Sequence, residues 1–384
     1  MCIRDRGIIP QEWKTIRLKD CFSISAGGDV QKDCFSEAPS LQYKYPIYSN
    51  SLFNHGLYGF TSHPRHKANS ITITGRGALG HAEYREIDFD AIVRLLVLAP
   101  KIPLNGQYIT EYINFRKPFF YESTGVPQLT APQIANIQVL FPPLGEQRKI
   151  AEVLGVWDEA IEKQARLIEK LALRKRGLMQ RLLSAKLRLP GFSEPWKIHK
   201  LQELFTERNE TNRTDLPLLS ITGDRGVILQ TESEKRDTSN DDKSKYKRIA
   251  KGDIGYNTMR MWQGRSALSG LEGIVSPAYT IVVPNTDVDG YYMSVLFKQP
   301  RLIYDFWTHS QGLVGDTLNC KYRDFGQVHI CCPPLAEQKA ITEVLTAADR
   351  EIELAKEKLE RLRRQKRGLM QQLLSGKKRV KINI

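Results

Sequence analysis

Between residues 150 and 182 the apolar positions recur at alternating steps of four and three: Ile150, Leu154, Trp157, Ile161, Ile168, Leu171, Leu178 and Leu182, with polar Gln164 and Lys175 at two seam positions. The pattern returns at Ile341, Leu345, Ala348, Ile352, Ala355, Leu359, Leu362, Lys366, Leu369 and Leu373. A 3.5-residue period held over so many turns predicts two long helices with coiled-coil seams. Pro-Pro precedes each run, and Glu146 and Glu337 fall in the first turn, as suits a helix start. Helices of roughly 40 residues would each run roughly 60 Å. Gly177 and Gly368 are expected sites of a local bend. Elsewhere the pattern shortens. Residues 70–74 and 91–99 predict strands and 106–120 a helix; 273–284 is strand material and 291–310 a helix. The class is α+β, a mixed α/β chain.

The two helical runs are copies. Residues 142–162 and 333–353 share 12 of 21 positions, and KRGLMQRLLSAK (175–186) shares 10 of 12 with KRGLMQQLLSGK (366–377). Both alignments use one offset, so nothing was inserted or lost between them. The duplication extends more weakly into the preceding blocks, where EWKTIRLKDCF (12–22) echoes PWKIHKLQELF (195–205) and GRGAL (75–79) echoes GRSAL (264–268). The chain divides into a variable block 8–141, a spacer helix 142–189, a second variable block 190–332, and a second helix with its tail, 333–384.

Charge orients the helices. Residues 142–165 carry a net −2 and 166–189 a net +7; the copy repeats this as −2 over 333–356 and +8 over 357–384. Antiparallel pairing sets each acidic half against a basic half, and it lets the second block connect adjacent helix ends. The expected architecture is two globular domains separated by two long antiparallel coiled-coil helices, with a pseudo-two-fold internal repeat. Such symmetry matches a split DNA site. The alternative is a coiled-coil scaffold carrying two protein-binding domains.

Composition narrows the function classes. The 384 residues are 41% hydrophobic and 26% charged, with a net charge of +14, a balance that favours a polyanionic partner. Eleven of those fourteen charges lie on the two helices, and block two is neutral, so a strong phosphate-neutralising surface on the blocks is not evident. No run is long and apolar enough to span a membrane and no signal peptide is visible, so a cytoplasmic chain with reduced thiols is expected. The six cysteines form no CxxC pair, and His63 and His66 lack ligand partners, so no metal site is expected. The opening MCIRDR reads like a translated transposon end from library preparation and is expected to be an artefact.

The candidate chemistry sits in two turns. Gly75-x-Gly77-x-x-Gly80 follows a predicted strand, but no helix or suitably placed acid follows, so a strand–turn–strand displaces a dinucleotide site. Arg76 and Gly77 are its DNA-contact candidates. The matching place in block two offers Tyr256, Asn257, Arg260, Trp262, Gln263 and Arg265, side chains that can bond base edges, grip phosphates or stack. There is no P-loop, methyltransferase signature, nuclease cluster or nucleophile elbow, which favours a binding subunit over an enzyme.

Two variable domains, each followed by a helix opening PPL-x-EQ and closing KRGLMQ-x-LL, resemble the specificity subunit of type I restriction–modification systems. GDIGYNTMRMWQG with EGIVSPAY (252–264 and 272–279) and GVPQLTAPQIANIQVLFPPLGEQ (125–147) look like phrases of its target-recognition domains. The resemblance implies a chain without a catalytic site or bound cofactor. Each domain would read one half of a bipartite, asymmetric double-stranded DNA site. The helices would set the gap and dock two adenine-N6 methyltransferase subunits that bind S-adenosylmethionine. Two ATP- and Mg-dependent restriction subunits would complete the nuclease, unless the chain serves a related system without them.

Overall fold

The computed structural model describes residues 9–116, 127–223, 225–233, 241–312 and 318–381. The chain forms two compact units: Met1–Arg166 with Lys356–Ile384, and Leu167–Ala355. Each contains one variable block, the start of one long helix and the end of the other.

The central sheet of the first unit is antiparallel, in the order Phe22–Ala26, Leu96–Pro100, Ser70–Ile73, Ala82–Arg85. The second unit has the same order: Phe205–Glu207, Tyr279–Pro284, Ile254–Asn257, Ser266–Leu268. Ser70–Ile73 is buried on both faces, which is why its apolar and polar residues do not alternate in and out. A two-stranded ribbon leads into each long helix, Lys14–Arg17 with Gln138–Phe141 and Lys197–Lys200 with His329–Cys332. A second layer also repeats. Tyr45–Tyr48 runs parallel to Asp90–Ala91, as Leu218 bridges Ile274 in parallel. The structural repeat is therefore more complete than the sequence repeat.

The long helices are Leu144–Leu182 and Leu335–Leu373, unbroken through Gly177 and Gly368. In the first unit Ile150 and Leu154 share a core with Met370, Leu373 and Leu374. In the second, Leu182 and Leu183 share one with Ile341 and Leu345. Each unit thus packs the start of one helix on the end of the other, which makes the pair antiparallel. Burying a Leu or Ile this fully contributes about 1.5–3 kcal/mol. Ile150, Leu154, Leu171, Leu182, Ile341, Leu345, Leu359 and Leu373 are buried. Trp157, Ile161, Ile168, Leu178, Ile352, Leu362 and Leu369 are half-buried.

Three predicted elements are interrupted. The run 91–99 is Asp90–Ala91, a corner, and Leu96–Pro100, because the chain crosses from one sheet to the next. At that corner Val93 and Arg94 adopt left-handed backbone, held by N–H bonds to the Gly28 and Gly27 carbonyls at 2.9 and 3.1 Å. The run 273–284 breaks into Gly273–Val275 and Tyr279–Pro284. The run 291–310 is Gly290–Leu296 and Pro300–His309, with Pro300 opening the second helix as a residue without an N–H can. The predicted helix 106–120 is Gly106–Arg116; residues 117–120, like 1–6 and Gly125, lie outside the described residues. Among the described residues no helix is long and apolar enough to cross a membrane, and no His, Cys, Asp and Glu group could hold a metal ion.

Candidate nucleic-acid interface

The repeated phrase PPL-x-EQ builds the frame on which both candidate turns rest. Glu146 is fully buried and accepts from the Trp13 indole at 2.9 Å and from Arg379 Nε and Nη2 at 2.6 and 2.9 Å. In the second unit Glu337 accepts from Trp196 at 3.2 Å and from Arg188 at 2.6 and 2.8 Å. A bidentate arginine with an indole N–H gives the buried charge both a counter-ion and full hydrogen bonding. The adjacent glutamines close the frame. Gln147 bonds the Asn105 N–H and the Pro142 carbonyl; Gln338 bonds the Asp289 N–H and the Pro333 carbonyl. Each glutamine thereby ties its long helix to the helix that covers the sheet. The sequence marks these residues only by repeating them; their partners lie far away along the chain.

On the second unit's frame, Ile254–Asn257 and Ser266–Leu268 form a hairpin whose connection carries the candidates. The Met261–Gln263 turn is closed by the Trp262 indole, which donates to the Met259 carbonyl at 3.0 Å. Gly264 follows in left-handed conformation, φ +71°, where glycine costs least. The Asn257 N–H donates to the Arg265 carbonyl at 3.0 Å, which sets Arg265 beside Asn257. A cleft of about 350 Å³ opens there, lined by Ile221, Thr222, Asn257, Arg260, Arg265 and Tyr279. Both arginines are exposed. Gly223 borders Arg265 closely: a Cβ there would stand 3.0 Å from its Nη1.

The turn thus brings Asn257, Arg260 and Arg265 to one cleft. Gln263 is exposed outside its lining, and half-buried Trp262 supports the turn. Tyr256 is a correction: it is wholly buried, stacked on Phe325 at 5.2 Å, and burial pushes its phenol well up. It is a core residue because strand alternation turns it inward where Asn257 turns out. Ile221 and Thr222, which come from outside the central sheet, and Tyr279, which pairs with Asn257 across it, are not among the candidates named from sequence, since only the fold brings them to the turn.

In the first unit, the turn between Ser70–Ile73 and Ala82–Arg85 presents exposed Arg76 and Gly77. The Arg76 guanidinium lies 3.4 Å from Gln128 Oε1. Gly77 has φ +67° and open space around it, so its glycine serves the backbone turn. Close approach falls instead to Gly75, where a Cβ would meet the Leu129 and Arg94 carbonyls at 3.0 and 3.1 Å.

An arginine-bearing hairpin turn on a sheet is present twice with different residues, and its guanidinium groups have the donor geometry to bond an anion or a base edge. Residues 10–172 match the family described as type I restriction modification DNA specificity domain. A putative type I specificity subunit of Mycoplasma pneumoniae is 33% identical over 145 residues, 38% of this chain and 39% of that relative's length. The putative type I restriction enzyme MjaX specificity subunit of Methanocaldococcus jannaschii is 25% identical over 98% of this chain and 96% of its own. The fold matches the crystal structure of the type I restriction–modification S subunit from M. genitalium with a TM-score of 0.60, at 14% identity, over 97% of this chain and 98% of that one. In sequence along nearly its whole length, and in fold, the chain is similar to type I restriction–modification specificity subunits.

Proposed function

We propose that this chain is the non-catalytic, sequence-reading subunit of a type I restriction–modification complex, and that each unit reads one half of a bipartite, asymmetric double-stranded DNA site. The observation that carries the reading is the asymmetry of the repeat: frame and long helices are near copies, whereas the turns they present differ. In the second unit Asn257, Arg260 and Arg265 read base edges from the cleft. In the first, Arg76 belongs to the reading surface. The paired helices set the gap between half-sites and dock two adenine-N6 methyltransferase subunits, where S-adenosylmethionine binds. Restriction subunits, with ATP and Mg, add cleavage. Most surplus positive charge lies on the helices, which suits a chain whose phosphate contacts come largely from its partners.

Co-expression with the methyltransferase subunits, followed by genome-wide detection of methyladenine, tests this. One gapped two-part motif is expected. Arg265→Ala should relax one half of it, lowering discrimination by about 1–3 kcal/mol at a bidentate contact. An active methyltransferase complex that marks no such motif would refute the proposal.

A further inference from the structure

In the first unit one amide occupies the corner beside the hairpin turn. Tyr45–Tyr48 matches Leu219–Ile221 in topology, each beside a parallel neighbour. In the second unit the corner after Ile221 brings Thr222 to the cleft and Gly223 against Arg265. In the first unit the corner after Tyr48 brings Asn50 between two turns. Asn50 Oδ1 accepts from the Gly75 N–H at 2.7 Å and the Arg76 N–H at 3.3 Å. Its Nδ2 donates to the Val93 carbonyl at 2.6 Å.

The second of those turns is strained. Val93 and Arg94 have φ of +54° and +61°, and a β-branched residue in that region is a genuine outlier. Such strain persists only where the surroundings over-determine it, and it gathers at functional sites. The surroundings here are explicit. Val93 and Arg94 N–H groups bond the Gly28 and Gly27 carbonyls. Gly27 has no room for a side chain, since a Cβ would stand 2.6 Å from the Ala91 carbonyl. The Arg94 carbonyl in turn packs against Gly75. The outcome is two exposed arginines, Arg76 and Arg94, on two turns clamped to one another.

We propose that Asn50 is a positioning residue that fixes Arg76 and Arg94 as a paired reader of base edges, so that Arg94 is a specificity determinant of the first unit. The proposal rests on the DNA-reading function above. The guanidinium fork suits guanine O6 and N7, and two forks read bases only if their spacing is fixed. Asn50 supplies that spacing through both ends of its amide.

The test uses the full complex with its methyltransferase subunits and compares wild type with Asn50→Ala, Arg76→Ala and Arg94→Ala. The readouts are the methylated motif and the affinity for cognate and single-base-substituted duplexes at fixed salt. Arg94→Ala, an exposed substitution that leaves the fold intact, is expected to lower discrimination by about 5- to 150-fold at one position of one half-site. Asn50→Ala is expected to relax the positions that Arg76→Ala and Arg94→Ala relax, and no others. Asn50→Asp keeps the acceptor but not the donor, and should relax the Arg94 position while retaining that of Arg76. Uniform weakening on every duplex by Arg94→Ala would make it a phosphate contact and overturn the assignment. Equal loss on both half-sites with Asn50→Ala would reduce Asn50 to a folding role and overturn it too. A wild-type complex that marks no two-part motif would instead defeat the function on which the proposal stands.

Discussion

Glu337 shows how one repeated residue holds distant parts of a unit together through a buried charge. Its carboxylate is almost wholly buried, while Arg188 keeps about a quarter of its side chain in solvent, so the pair is only partly desolvated. Glu337→Ala leaves the Trp196 N–H without its acceptor, and Arg188 turns toward water. The expected loss is about 2–3 kcal/mol, below that of a fully buried pair. Glu146→Ala should cost similarly, with Arg379 freed to its remaining partner Glu12 at 2.8 Å. Urea denaturation checks both, and a Glu337/Arg188 double-mutant cycle isolates the pair. A cycle coupling near zero would show that the indole bond and packing dominate. The repeated phrase is legible in the sequence as a phrase. Its chemistry is not, because Trp13, Glu146 and Arg379 meet only in the folded unit.

At the level of the element, the long helices were the most legible part, since a period of 3.5 sustained and then copied leaves few alternatives. The corner at Val93 and Arg94 was the least legible. Apolar residues 95–98 flank it, and local preference opposes a left-handed valine; the Gly27 and Gly28 carbonyls override that preference through contacts distant in sequence. Tyr256 failed for another reason: within a polar stretch a tyrosine reads equally as stacking surface or as core. The polar seam position of the helices also acquires a role. Lys366 bonds Glu111 and Asp158, and both Lys366 and Glu111 are mostly buried. Its copy Lys175 pairs with Asp349, which also accepts from the Tyr291 phenol at 2.6 Å. Burial raises the Glu111 pKa from its ordinary value; the Lys366 ammonium pulls against the rise and Asp158 adds to it. A buried acid with a raised pKa costs stability while ionised, and the cost fades as pH falls through its folded pKa. Lys366→Met removes the cation that lowers that cost. The variant is expected to lose about 2–3 kcal/mol at neutral pH, and the deficit against wild type should shrink as pH falls toward the carboxylate range. Thermal melts across that range check this. A pH-independent deficit would mean that the lysine does not act by offsetting the ionised Glu111.

For the whole molecule, the equal halves make a dimensional prediction. Asp158 and Lys175 are separated by the same number of residues as Asp349 and Lys366, and each lysine pairs with the aspartate of the other helix. A heptad inserted in one helix alone would put these two pairs out of register, because a shift that keeps one breaks the other. A heptad inserted in both, after Ile168 and after Leu359, keeps the seam and both pairs. On the proposed function the helices then lengthen by about 10 Å, which corresponds to about three base pairs of B-DNA. The methylated motif should keep its two half-sites and gain a gap longer by that amount. Three base pairs also rotate one half-site by roughly a third of a turn about the DNA axis. Methylation of the lengthened motif should therefore be slower than wild type, because the DNA must twist to present both halves. The single-helix insertions serve as the control and should lose both the motif and thermal stability. An unchanged gap in the double insertion would mean that the partner subunits or the DNA, and not the helix pair, fix the distance between half-sites.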